Sequence, residues 1–256
     1  MSDPHARIAE LEAELAAVRR EMQDFAYAVS HDLRAPLRHI VSYAHLVQED
    51  AGPQLDAEVQ GFLATITDSA KHLGAMLDAL LELSRVGTLP PAPGPVDLKA
   101  VLDDVVAALV HRGAPRQLAL EIDLPEAMVV VDATLLRVVL GAVLDNAWKF
   151  TALLPEADAR VWVRVQREAS GPWALEVRDN GAGFAAPDAD LALRMFGRLH
   201  GNKLFPGLGV GLALAAKAAQ RMGAVLRIQA AVPAGCVVTL SFPSTQKSPD
   251  MPGLVA

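Results

Sequence analysis

No stretch of this chain approaches the run of about 18 apolar residues that a membrane-spanning helix needs. The opening "MSDPHARIAELEAELAAVRRE" also lacks the apolar core of a secretory signal. The chain as given is therefore expected to be soluble and cytoplasmic, with no direct membrane insertion. Basic residues are short as well: 23 Lys and Arg stand against 30 Asp and Glu, a formal charge of −7, and no basic stripe interrupts that balance. A nucleic-acid surface normally shows such a stripe, so no nucleic-acid partner is expected. The single cysteine, Cys236, cannot form an intramolecular disulfide, which fits a reducing compartment. Its short apolar surroundings suit a small core residue. The seven histidines make no zinc-like arrangement with it, so no structural metal site is expected.

What the chain does have is apolar content, 52% of its residues, ample for buried cores in one large domain or two ordinary ones. From Ile8 the apolar positions are Leu11, Leu15, Val18, Met22, Phe25 and Val29, spaced by threes and fours. That is a coiled-coil seam. With Ile8 at position a, His31 falls at c, on the face away from the seam and toward solvent. The pattern continues through Leu37, Ile40, Tyr43, Ala44 and Val47 and breaks at "EDAGPQ". A second seam, Leu55, Val59, Phe62, Ile66, Ala70, Leu73, Leu77, Leu80 and Ser84, predicts an antiparallel helical hairpin. One hairpin covers one face of each helix, so seams this long predict a homodimeric four-helix bundle extended by a parallel coiled coil.

"VGTLPPAPGPV" cannot continue a helix and marks a domain boundary. Beyond it the patterns predict a helix at 97–111, strands at 117–123 and 127–131, and a helix at 133–150. Strands at 160–168 and 173–179, a helix at 208–222, and strands at 224–230 and 235–242 follow. Interleaved helices and strands predict a sheet layered on helices. The tail from Ser244 is expected to be disordered.

Three stretches of this second domain carry chemistry. In "LRVVLGAVLDNAWKFT", Asn146 and Lys149 share a helical face. An amide oxygen can ligate magnesium and an ammonium can pair with phosphate, though a polar helix end would look the same. "VRDNGAGF" puts Asp179 at the end of an alternating strand, before Gly181 and Gly183. A buried carboxylate there can accept a hydrogen bond from an exocyclic amine, whereas a plain glycine turn would leave it solvated. "GLGVGLALAAKAA" leads Gly207, Gly209 and Gly211 into a helix whose N-terminus could face phosphates, as many loops do. The connection between the glycine clusters is long for a compact domain and reads as a lid. It carries Arg198, His200 and Lys203, donors for phosphates or simply the charges of an exposed loop.

The order of these motifs resembles the sensor histidine kinases of bacterial two-component systems, over residues 8–243. "FAYAVSHDLRAPLRHI" is similar to their phospho-acceptor box, "LDNAWKFT" to their asparagine box, "DNGAGF" and "GLGVGL" to their glycine boxes and "MFGRLH" to their lid. The wording of "RAPLRHI", "NAWKFT" and "GRLH" is especially similar to kinases that follow phytochrome or related sensory modules. The resemblance implies an α plus α/β architecture: a coiled-coil extension (1–24), a dimerisation and phosphotransfer hairpin (25–87), a linker (88–95), and an ATP-binding α/β sandwich (96–243) before the tail. By position it implies that His31 is the phospho-acceptor, that Asp32 is the base, and that Asn146 holds magnesium. Lys149 would contact phosphate, Asp179 would bind the adenine amine, and Gly181, Gly183, Gly207, Gly209 and Gly211 would shape the pocket. Arg198 and Lys203 would be lid contacts. ATP and Mg2+ are the implied cofactors. The receiver domain of a response regulator is the implied partner, with the sensor in a separate protein or domain.

Four positions depart from the family pattern. Ala142 replaces an asparagine one turn before Asn146, Leu208 a threonine, Leu193 a lid phenylalanine, and Ala224 a glycine after Gly223. They point to weakened nucleotide affinity and to an alternative function, an impaired dimeric scaffold that binds a regulator. Ala35, four residues after His31, cannot hydrogen-bond a water as the threonine or asparagine of strong phosphatases does, which predicts weak phosphatase activity. Pro36 should cost a helix roughly 3 kcal/mol and loosen it beside His31. With the linker it suggests a hinged mechanism.

Overall fold

The computed structural model describes residues 4–111, 118–125, 128–167, 173–201, 204–232 and 234–242. The chain forms two units, Met1–Thr88 and Leu89–Ala256. Among the described residues no helix is long and apolar enough to cross a membrane.

The first unit is a helical hairpin. Helix α1 runs unbroken from Pro4 to Ala51, through Pro36. A 3-10 turn at Gly52–Gln54 reverses the chain, braced by Gln60, whose side-chain amide donates to the carbonyls of Gly52 and Leu55. Helix α2, Ala57–Thr88, starts at Asp56, whose carboxylate accepts the backbone N–H of Val59 at 2.8 Å, the interaction of an N-cap. Small side chains form the buried stripes: Ala26, Ser30 and Ala44 on α1, Thr67 and Ala70 on α2. Ala44 and Ala70 were read as seam positions, but the seam's large residues lie outside this stripe. Ile8, Leu11, Leu15, Val18, Met22, Phe25, Ile40, Tyr43, Val47, Phe62, Ile66 and Leu73 are exposed in the single chain. Close helix approach through small residues explains why the hairpin closes without them. Arg34 of α1 also pairs with Asp78 of α2 at 2.6 Å.

The second unit layers helices on a five-stranded sheet, ordered β2-β4-β5-β7-β6. The strands are β2 (Ala119–Asp123), β4 (Arg160–Arg167), β5 (Trp173–Asp179), β6 (Val225–Ala230) and β7 (Cys236–Ser241). Only β2 and β4 run parallel; the remaining pairs are antiparallel. Register aligns Val163, Val177, Val238 and Ile228 in one row, and Val165, Leu175, Leu240 and Leu226 in the next, all on the buried face. A third row brings Val161, Asp179 and Cys236 side by side, so strict alternation delivers the Asp179 carboxylate to the core face.

Helices α3 (Leu98–His111), α4 (Ala133–Phe150) and α6 (Gly211–Arg221) accompany this sheet, with a short α5 (Ala189–Ala192) in the connection. Leu98 and Leu102 of α3 meet Leu140 of α4, Val163 of β4 and Leu175 of β5. Helix α4 starts where the pattern predicted. Its N-cap, Asp132, accepts from the backbone N–H groups of Thr134 and Leu135, both at 2.9 Å, and from Ala92 at 2.8 Å.

Two readings of the sequence change here. The stretch taken as a linker ends in a strand: β1, Gly94–Asp97, pairs antiparallel with β3, Met128–Val131. Prolines there exclude helix but not pairing, because Pro95 sits in a two-stranded sheet with one side free. The carbonyl of Leu89 accepts from the Arg221 guanidinium, so most of this stretch is fastened to the second unit. Helix α6 begins at Gly211, three residues later than expected. Gly207 (φ 147°) and Gly209 (φ 72°) lie outside helical geometry and delay its first turn. The expected disordered tail lies outside the described residues.

Candidate functional site

The hairpin displays His31. Its side chain is 70% exposed. Nδ1 is 3.1 Å from Oδ1 of Asp32. A carboxylate only accepts, so Nδ1 carries the hydrogen and Nε2 keeps its lone pair in the neutral ring. Tyr27, one turn earlier, lies nearly parallel to the imidazole, with centroids 6.3 Å apart and planes at 24°. Just behind, Ser30 is fully buried, with no hydrogen-bond partner for its hydroxyl among the described residues.

The second unit holds a cavity of about 310 Å³ between α4, the inner face of the sheet and the chain that leads into α6. Its lining brings together Asn146, Lys149, Asp179, Gly183, Arg198, Gly207, Gly209 and Gly211, which are up to 65 positions apart in sequence. Ala142 and Leu208, two of the departures from the family pattern, line it as well. Gly181 does not. A Cβ there would stand 2.5 Å from the carbonyl oxygen of Phe150, so this glycine lets the loop after β5 rest on the end of α4. Lys203 lies outside the described residues.

Asp179 is 6% exposed and takes backbone hydrogen bonds from Gly181, at 2.9 Å, and from Cys236. Burial raises its carboxyl from the usual value near 3.8 to about 6, against the lowering effect of those two donors and of Arg178. Burial and the neighbouring Asp179 charge together push the Cys236 thiol far up, so it stays protonated and unreactive. Lys149 is lowered by burial, partly offset by Asp145 and reinforced by Arg198. Its Nζ stands 4.6 Å over the ring of Phe150.

Arg198 lines the cavity, but its guanidinium is engaged with its own segment. It donates to the carbonyls of Gly207 at 2.6 Å, Phe205 at 2.9 Å and His200 at 3.5 Å. Sequence reasoning did not find Phe150, Phe205 or Cys236 in the lining, because an apolar residue at a helix end or strand start carries no signal of its neighbours. Asn180 was also missed. It braces the end of β5 by donating to Asp158 and accepting from Arg160.

The arrangement suits a nucleotide. A cavity of this size matches small-ligand sites, with an acceptor at one wall and a cation and an amide at another. The donor chemistry also fits magnesium: Asn146 and Asp145 offer few protein oxygens, as that ion prefers when phosphates supply others.

Comparison with known proteins agrees with this geometry. Residues 21–89 match the His Kinase A (phospho-acceptor) domain, and residues 131–246 match the histidine kinase-, DNA gyrase B-, and HSP90-like ATPase. Among curated proteins, cyanobacterial phytochrome B of Nostoc sp. is 29% identical over 87% of this chain and 29% of its own length. The aerobic respiration control sensor protein ArcB of Escherichia coli is 29% identical over 89% of this chain and, again, 29% of its own length. A structure of full-length ShkA in complex with AMPPNP shares the fold, with TM-score 0.60 and 21% identity over 88% of this chain and 47% of that one. Together the two matches give the chain the domains of a sensor histidine kinase core, a phospho-acceptor hairpin followed by an ATPase domain. It spans under a third of the length of these curated relatives.

Proposed function

We propose that this chain is an ATP-dependent protein histidine kinase that phosphorylates His31 and passes the phosphoryl group to an aspartate on a response regulator. The observation that carries the proposal is the cavity lining, where the acceptor Asp179 and the pair Asn146 and Lys149 share one space. Asp179 accepts the exocyclic amine of adenine. Lys149 offsets phosphate charge, and Asn146 would hold a magnesium ion, which when bound would supply charge neutralisation to the phosphates. At the other end of the reaction, Nε2 attacks the γ-phosphorus as the bond to the bridging oxygen breaks and ADP leaves, while Asp32, hydrogen-bonded at Nδ1, takes the proton from the imidazolium that forms. Phosphoryl transfer asks the protein for position and charge, which these groups supply.

The exposed apolar seams support a homodimer, and the exposed face around His31 supports docking of a receiver domain. A second reading, a phosphotransfer scaffold with weak nucleotide affinity, draws on Ala142 and Leu208, which leave the cavity short of polar contacts. Incubation with γ-labelled ATP and magnesium separates the two. The kinase incorporates label into wild type and none into His31→Gln. An unlabelled wild type that still binds a regulator favours the scaffold.

A further inference from the structure

Three rings meet at one side of the cavity, and the chemistry above leaves them unused. Phe150 ends α4, Phe205 is buried in the chain leading to α6, and their centroids are 4.9 Å apart at 62°. His200 completes the group, 5.4 Å from Phe150 and 5.2 Å from Phe205, both tilted. Tilted and edge-on contacts at such distances are the favoured ones for aromatic rings. His200 is also hydrogen-bonded: Nε2 is 2.8 Å from the carbonyl oxygen of Gly183. A carbonyl only accepts, so Nε2 carries the hydrogen.

These contacts tie together parts of the cavity that are remote in sequence. Gly183 follows the loop that begins at Asp179, the wall assigned to the base. Phe150 follows Lys149, whose ammonium lies over its ring on the wall assigned to phosphate. Phe205 and His200 belong to the segment that Arg198 gathers through three carbonyls. That segment is braced internally, and the contacts of His200 join it to both walls.

We propose that His200 is a positioning residue for the nucleotide: its Nε2–H holds the Gly183 loop while its ring, set against Phe150 and Phe205, holds the Arg198 segment. The two walls then form together rather than independently, and nucleotide residence depends on a side chain that need not touch the nucleotide. The inference rests on the ATP-binding reading and adds a determinant to it.

Two variants separate ring from donor. His200→Phe keeps an aromatic ring and loses the hydrogen bond; His200→Gln keeps an amide donor at the position of Nε2. Loss of one such bond should speed dissociation of a fluorescent ADP analogue, and raise KM for ATP, by about three- to tenfold in His200→Phe. The kcat and the nucleotide-free melting temperature should be little changed, and His200→Gln, which restores the donor without the ring, should recover part of the loss. Amide hydrogen exchange without nucleotide should rise in His200→Phe at residues 181–184, 198–201 and 204–207. A His200→Phe protein matching wild type in exchange or in dissociation would overturn the proposal. So would a His200→Gln protein as impaired as His200→Phe. If wild type binds no nucleotide, the ATP reading fails, and the exchange measurement still decides the role of His200.

Discussion

Asp179 shows what one residue contributes and what it costs. Its carboxyl titrates near 6 in the folded chain against about 3.8 when unfolded. The folded state therefore binds the proton more tightly. Stability is highest below the unfolded value, falls as pH rises toward 6, and stays reduced above it. A displacement of that size corresponds to a penalty on the order of 3 kcal/mol for the ionised form. Asp179→Asn should leave the protein as stable at pH 7.5 or more so, by thermal melting, while nucleotide affinity drops at least roughly tenfold because the acceptor is diluted to a reoriented amide. In wild type, affinity should weaken as pH falls through about 6. An affinity unchanged by the substitution would remove Asp179 from the base-reading role. This residue was legible in "VRDNGAGF" because a strand's alternation fixes which face its last side chain joins. Arg198 was legible as part of the lid but not in its bonding. A guanidinium can turn to phosphates or to carbonyls, and only the folded segment decides between them.

At the scale of elements, long periodic runs were read almost to the residue. Helix α4 is the clearest case, since Asp132 caps it just before the apolar repeat begins. That cap holds three backbone donors, two in the helix and Ala92 in the incoming chain. Asp132→Ala should therefore cost about 2 kcal/mol, the upper end for a lost cap, measured by denaturant unfolding of the ATPase unit. A cost below about 0.5 kcal/mol would mean water replaces the cap freely. Strand β1 escaped the sequence because it is four residues long and proline-bearing, and its pairing with β3 depends on a partner some 35 residues away. The small-residue stripe of the hairpin was hidden for a related reason. Ala26, Ser30 and Thr67 register weakly on a hydrophobicity pattern, whereas the large residues that dominate it lie on another face.

For the whole molecule, those large residues matter most. Phe62, Ile66 and Leu73 of α2 and the seam of α1 leave too much apolar surface exposed for a single hairpin. The proposed homodimer would cover it by symmetry, so any seam substitution would enter the interface twice. Phe62→Glu should raise the dimer dissociation constant at least roughly tenfold, read by analytical ultracentrifugation. A wild type that sediments as a monomer at micromolar concentration would remove the dimer from the account. The central claim is narrower, that ATP phosphorylates His31, and it makes a statement about a single atom. Asp32 occupies Nδ1, so the proposed mechanism assigns the attack to Nε2. The most direct measurement is NMR of the protein after incubation with magnesium and ATP, with phosphorus and imidazole signals assigned against His31→Gln. The account predicts phosphohistidine at Nε2 of His31, absent from the variant. Phosphate on Nδ1, on another residue, or on none would contradict it.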